Sequence, residues 1–152
     1  MGLDMYLSRK IYVKNWSPDP KFEINITFKG NPTSIDSKRV TYITEEIGYW
    51  RKANAIHNWF VKNVQSGDDD CGEYYVGKEQ FEKLISDCQH VLNNQDDAEN
   101  ILPTAIGFFF GSTSYDDYYF EDIRNTIKIC QDALKLMEDE DIDGDFYYQA
   151  SW

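Results

Sequence analysis

Aromatic rings, cations and an imidazole crowd one stretch of the chain, Gly48-Tyr49-Trp50-Arg51-Lys52-Ala53-Asn54-Ala55-Ile56-His57-Asn58-Trp59-Phe60. At about 100° per residue on a helix, Tyr49, Ala53, Ile56, Phe60 and Val64 share an apolar stripe with Trp50 and Val61 beside them, and His57 falls in its middle. An imidazole there needs a hydrogen-bond partner or a polar cavity, because an unpaired buried polar group costs on the order of 1 to 3 kcal/mol. Two readings stay open: a core histidine satisfied by its neighbours, or one wall of a pocket. Asn54 lies one turn before His57, and Arg51 and Asn58 flank the stripe. A pocket on the Trp50, Arg51, Asn54, His57 edge would therefore offer donors to an anionic or nucleotide-like ligand. Lys52 and Trp59 project from the opposite face, which leaves Trp59 to pack on another element or on a second copy of the chain.

Other motifs carry less. Asp139-Glu140-Asp141-Ile142-Asp143-Gly144 meets positions 1, 3, 5 and 6 of a calcium loop, but Ala150 stands where the closing Glu belongs, so the run reads as a solvated acidic turn and no metal site is expected. Phe110-Gly111-Ser112-Thr113-Ser114 precedes a helix whose free N–H groups could face a phosphate, yet Asp116 and Asp117 already complement the dipole. The hydroxyls of Ser112 and Thr113 remain candidates for gripping a ribose or a base edge. Cys71, Ser112 and Ser151 are the conceivable nucleophiles, with His57 as the only well-placed base, and no spacing among them marks a triad. No catalytic residue and no cofactor is assigned.

The elements that must position these groups follow from periodicity. Leu3 to Val13 alternates as a strand, Phe22 to Phe28 as a second, and Arg39 to Ile43 as a third, antiparallel to the second across the Asn31-Pro32-Thr33-Ser34 turn. The helix of the opening motif is expected from Glu45 or Glu46 to Val64. A short strand within Cys71 to Val76 precedes a helix over Lys78 to Leu92, whose Phe81, Leu84, Ile85, Cys88 and Val91 share a face. Asn93 to Asn100 is a loop or a frayed helical turn. Three phenylalanines between glycines, Ala105 to Gly111, suggest a buried strand. Ser112-Thr113-Ser114 would cap a helix running to Met137, with Tyr119, Ile123, Ile127, Cys130, Leu134 and Met137 inward. Phe146 to Trp152 closes as a strand. The expectation is one α+β domain over residues 1–152, a mixed or antiparallel sheet packed against about three helices.

Composition narrows the partners. Of the −12 net charge, residues 1–64 carry 10 Lys and Arg against 6 Asp and Glu, a net +4, and residues 65–152 carry 5 against 21, a net −16. So acidic a chain is unsuited to generic nucleic-acid or anionic-lipid binding, which needs clustered cations. Three widely spaced cysteines without a CxxC pair read as reduced thiols of a cytosol. No apolar run approaches the ~18 residues of a membrane span, and neither a signal peptide nor an acyl anchor is expected.

Several blocks together carry a resemblance: Met1-Gly2-Leu3-Asp4-Met5-Tyr6-Leu7, Gly48 to Asn54 with Ile56-His57 and Trp59-Phe60-Val61, Leu102-Pro103-Thr104, Gly107 to Thr113 with Tyr115-Asp116, and Tyr148-Gln149-Ala150-Ser151-Trp152. In these the chain resembles a family of small proteins of no assigned activity encoded by tailed phages, prophages and other mobile elements. The resemblance implies a protein of the bacterial host's cytoplasm that interferes with host defence. One role it suggests is a sponge for a nucleotide-derived immune signal, a cyclic nucleotide or an ADP-ribose type of molecule, held without turnover. Arg51, Lys52 and His57 would then face phosphates, Tyr49, Trp50 or Phe109 would stack on a base, and Asn54, Ser112, Thr113 and Tyr115 would complete the site. The alternatives are an acidic decoy that blocks a defence or DNA-directed host protein, and a small nucleotide hydrolase using His57. A homo-oligomer is compatible with each.

Overall fold

The computed structural model describes residues 2–15, 18 and 20–152. It is built on β1 (Asp4–Tyr12), whose alternation sends Met5, Leu7, Arg9 and Ile11 inward and leaves Asp4, Tyr6, Ser8 and Lys10 half-exposed. The other elements of the sheet are β4 (Tyr42–Arg51), β5 (Glu73–Tyr75) and β6 (Gly144–Ser151), in the order β4-β1-β6-β5 with every pair antiparallel. Ile47 is the extra residue of a bulge in β4: Leu7 faces Gly48 whereas Ser8 faces Glu46. A separate hairpin, β2 (Thr27–Phe28) and β3 (Asn31–Pro32), turns through Lys29 and Gly30, both at positive φ as a tight two-residue turn requires.

The helical layer is α1 (Asn54–Asn63), α2 (Lys78–Asn93), the single turn α3 (Ala98–Ile101) and α4 (Asp117–Met137). This is the expected single-domain α+β arrangement, with a wholly antiparallel main sheet. Phe60 on α1 stacks on Tyr148 of β6 with ring centroids 3.9 Å apart, and Phe81 on α2 meets Phe146 edge-on. Cys88 and Cys130 lie buried on α2 and α4; burial pushes the Cys130 thiol up to about 12 and Cys88 higher still, so both are inert. No cysteine is in a disulfide among the described residues.

Three elements depart from expectation. The helix expected from Glu45 or Glu46 is a strand up to Arg51, because Tyr42, Ile43, Thr44, Ile47, Tyr49 and Trp50 suit a pleated, half-buried surface and pair with β1 rather than with Phe22 to Phe28. Of that second strand only Thr27–Phe28 forms. Ala105 to Gly111 is not a strand: Ile106 to Phe109 are exposed and only Phe110 is buried, since Phe109 and Gly111 take positive φ and break any ladder. The cap of α4 is Asp116, whose carboxylate accepts from Tyr119 N at 3.1 Å, rather than a residue of Ser112 to Ser114.

Gly48 is where α4 comes down on the sheet. A Cβ there would collide with Ile129 Cγ2, while two residues on Trp50 Nε1 donates to Thr126 Oγ1 at 2.9 Å. Gly48→Ala should therefore destabilise the protein by about 1 to 3 kcal/mol through overpacking. Urea unfolding of the two proteins, compared at equal m-value, measures it.

Candidate functional site

Strand β4 ends at Arg51, and the chain reverses through Lys52, which sits at φ +58° with its N–H on the Leu3 carbonyl at 2.7 Å. Helix α1 starts two residues later. This tight reversal puts Arg51 and Lys52 at the edge of the helical layer and Asn54 beneath it.

Asn54 is buried and fully used. Its Nδ2 donates to the carbonyls of Phe110 at 3.1 Å and Ser112 at 2.8 Å, and its Oδ1 accepts from Ala105 N at 3.0 Å. One side chain thus supplies the partners that the 105–112 loop would otherwise find in a ladder. Gly111 lets this loop approach the Lys52 turn, since a Cβ there would stand 3.0 Å from Lys52 Cβ.

Between that turn and the start of α4 lies a cleft of about 320 Å³. Arg51, Lys52 and Ser112 line it, as do Asp116, Glu121 and Asp122 from the start of α4; no ion pair joins the two sets among the described residues. The Tyr118 ring, 77% exposed, also borders it. Burial, then the charges of Glu121 and Asp116, raises the Asp122 carboxyl to about 6.

His57 is elsewhere, and it answers the opening question as a satisfied core histidine, 1% exposed. Nδ1 lies 2.7 Å from Tyr148 Oη and Nε2 lies 3.0 Å from Asp69 Oδ2. Burial raises the Tyr148 hydroxyl well above its ordinary value, so the phenol keeps its proton, and both ring nitrogens of His57 have a partner. Asp69 Oδ1 accepts in turn from Trp152 Nε1 at 3.0 Å.

Of the residues expected to converge, the fold brings together Arg51, Lys52, Asn54 and Ser112. Trp50 is in the core. Tyr49 is exposed on the other face of β4, its hydroxyl donating to Asp4 and its ring beside Tyr6. Phe109 packs edge-on with Phe108, the Thr113 carbonyl accepts from Thr104 Oγ1, and the Tyr115 hydroxyl accepts from Thr104 N at 3.2 Å. These three shape the loop and do not line the cleft. Trp59 packs on α2 through a 2.8 Å bond from Nε1 to Asp87.

The cleft carboxylates were not singled out by the sequence, because Asp116 suits a helix start and Glu121 and Asp122 suit the polar face of α4. Nor was Arg9, 6% exposed, whose Nη1 has no partner among the described residues. Its signal was legible: Arg9 keeps step with Leu3, Met5, Leu7, Ile11 and Val13.

Comparison with family models, curated proteins and solved structures gives no match. Among the described residues no helix is long and apolar enough to cross a membrane, and no group of three or more His, Cys, Asp or Glu side chains could hold a metal ion.

Two outcomes follow from this geometry. Asn54→Ala should free the 105–112 loop, with loss of amide protection at Ala105 by hydrogen exchange and a stability loss on the order of 2 kcal/mol. Asp122 binds its proton more tightly in the native state than unfolded, so its contribution is full below the ordinary carboxyl value near 4 and is lost as pH rises through about 6. Asp122→Asn should accordingly stabilise the protein above that pH, by on the order of 1 kcal/mol once its partial exposure is discounted. The gain should vanish near pH 4, as unfolding at several pH values would read.

Proposed function

We propose that the chain binds a small nucleotide-derived molecule in the cleft beside Arg51 and Lys52 and holds it without turnover. The observation that carries this reading is the meeting of cationic and acidic residues at one cleft with no ion pair between them among the described residues. Lys52, exposed and free of ion pairs among the described residues, suits phosphate oxygens, and Arg51 at the end of β4, whose charge also acts on the Tyr49 hydroxyl, adds positive potential beside it. In the same cleft Asp116, Glu121 and Asp122 are acceptors for ribose hydroxyls and exocyclic amines, and the Tyr118 ring offers a face for a base. Its volume lies at the small end of ligand sites, about 300 to 1,000 Å³.

Binding rather than hydrolysis is favoured because His57, the best base in the sequence, is sealed by Tyr148 and Asp69 and does not line the cleft. The resemblance to phage and prophage proteins supplies the biological side of the proposal, sequestration of a nucleotide-type immune signal of a bacterial host.

Thermal unfolding against cyclic dinucleotides, cyclic ADP-ribose isomers and NAD tests it. A ligand at 100 times its Kd should add about 2.7 kcal/mol of stability, and be recovered chemically unchanged. The double variant Arg51→Ala/Lys52→Ala, whose side chains are exposed, should keep its own unfolding temperature within a few degrees and lose the ligand shift. Absence of a shift with every compound overturns the reading, and capture of a DNA-directed host enzyme in that case would favour the acidic decoy.

A further inference from the structure

We infer that a second cleft, lined by Arg9 and the acidic turn 139–143, binds a small zwitterion, an α-amino acid, through its carboxylate and its ammonium group.

Arg9 stands in the inward row of the central strand, between Leu7 and Ile11, where its companions are apolar. Its stem crosses β6 at Gly144, where a Cβ would come within 2.9 Å of Arg9 Cγ. On the other side the β4 bulge sets Glu45 opposite, and one oxygen, Oε2, accepts from Nε at 2.7 Å and pairs with Nη2 at 2.6 Å. Both contacts lie on one edge of the guanidinium. The two hydrogens of Nη1 are left buried and unpartnered among the described residues. Native proteins seldom leave such donors unanswered, and an unmet buried donor points to an acceptor that arrives from outside.

The cleft that Arg9 lines has a volume of about 370 Å³. Asp139, Glu140 and Asp143 stand along it, with Leu136 and Ile142 as apolar wall. A simple anion does not suit this set: Glu45 already neutralises Arg9, and three carboxylates outweigh Lys21, the other cation lining the cleft. A simple cation leaves Nη1 unmet. A molecule with both charges a few bonds apart meets both needs, its carboxylate taking Nη1 and its ammonium facing the turn. An apolar side chain would lie against Leu136 and Ile142.

Calorimetric titration of the full chain with L-leucine, beside 4-methylpentanoate and 3-methylbutylamine, separates the two charges. We expect L-leucine to bind and each single-charge analogue to bind at least about tenfold more weakly. Arg9→Met should weaken L-leucine by a similar factor; Asp143→Asn, on the exposed turn, tests the ammonium end with no risk to the core and should also weaken it. Equal affinity for an analogue, unchanged binding in Asp143→Asn, or no heat with L-leucine or L-methionine up to about 10 mM overturns the proposal. So does a crystal structure in which Asp139, Glu140 or Asp143 itself pairs with Nη1.

Discussion

The contact on which the rest depends is the seating of α1 on β6. Phe60 lies flat on the Tyr148 ring, 6° from parallel, while one turn earlier His57 takes the hydroxyl of the same tyrosine. An apolar face and a polar tip of one side chain are both satisfied by one helix, so α1 has a single azimuth and a single height. Asn54, one turn further up, is then aimed at the 105–112 loop, and Lys52 must reverse tightly to join helix and strand. The cleft is the space this geometry leaves.

His57 also carries the constraint outward. Through Asp69 it reaches Trp152, whose ring stands edge-on to Phe110 with centroids 6.0 Å apart. Strand β6, the turn after α1 and the loop before α4 are thereby tied through one buried imidazole, whose bond to Tyr148, shielded from water, is worth more than one on the surface. The division of charge along the chain acquires a location as well. Arg51 and Lys52 belong to the basic first part, Asp116, Glu121 and Asp122 to the acidic remainder, and the fold gathers them around one cleft.

How much of this could be read from residues depended on how cleanly they announced a period. The alternation in β1 and β6 and the long stripes of α2 and α4 were legible, and with them the fold class. The join of β4 to α1 was not, because Tyr49, Trp50, Ile56 and Phe60 satisfy a helical stripe while the first two also suit a strand. Phe108, Phe109 and Phe110 looked like core by type, yet only Phe110 is buried; nothing local reveals that Asn54, far away in sequence, replaces a ladder for that loop. Arg51, Lys52, Asn54 and Ser112 were found by chemistry. The cleft carboxylates were missed because a helix start and a solvated helix face explain acids equally well, and Arg9 because its place in the apolar row of β1 was not weighed against its charge.

The bulge at Ile47 bears on the one cation in the core row of β1. It decides which residue of β4 faces Arg9, and that residue is Glu45; were Ile47 drawn into a regular ladder, continuing the Leu7 to Gly48 pairing would bring Glu46 opposite instead. Two adjacent glutamates thus leave the buried guanidinium opposite a carboxylate in either register, bulged or regular, so a one-residue slip of β4 does not strand its charge in the core.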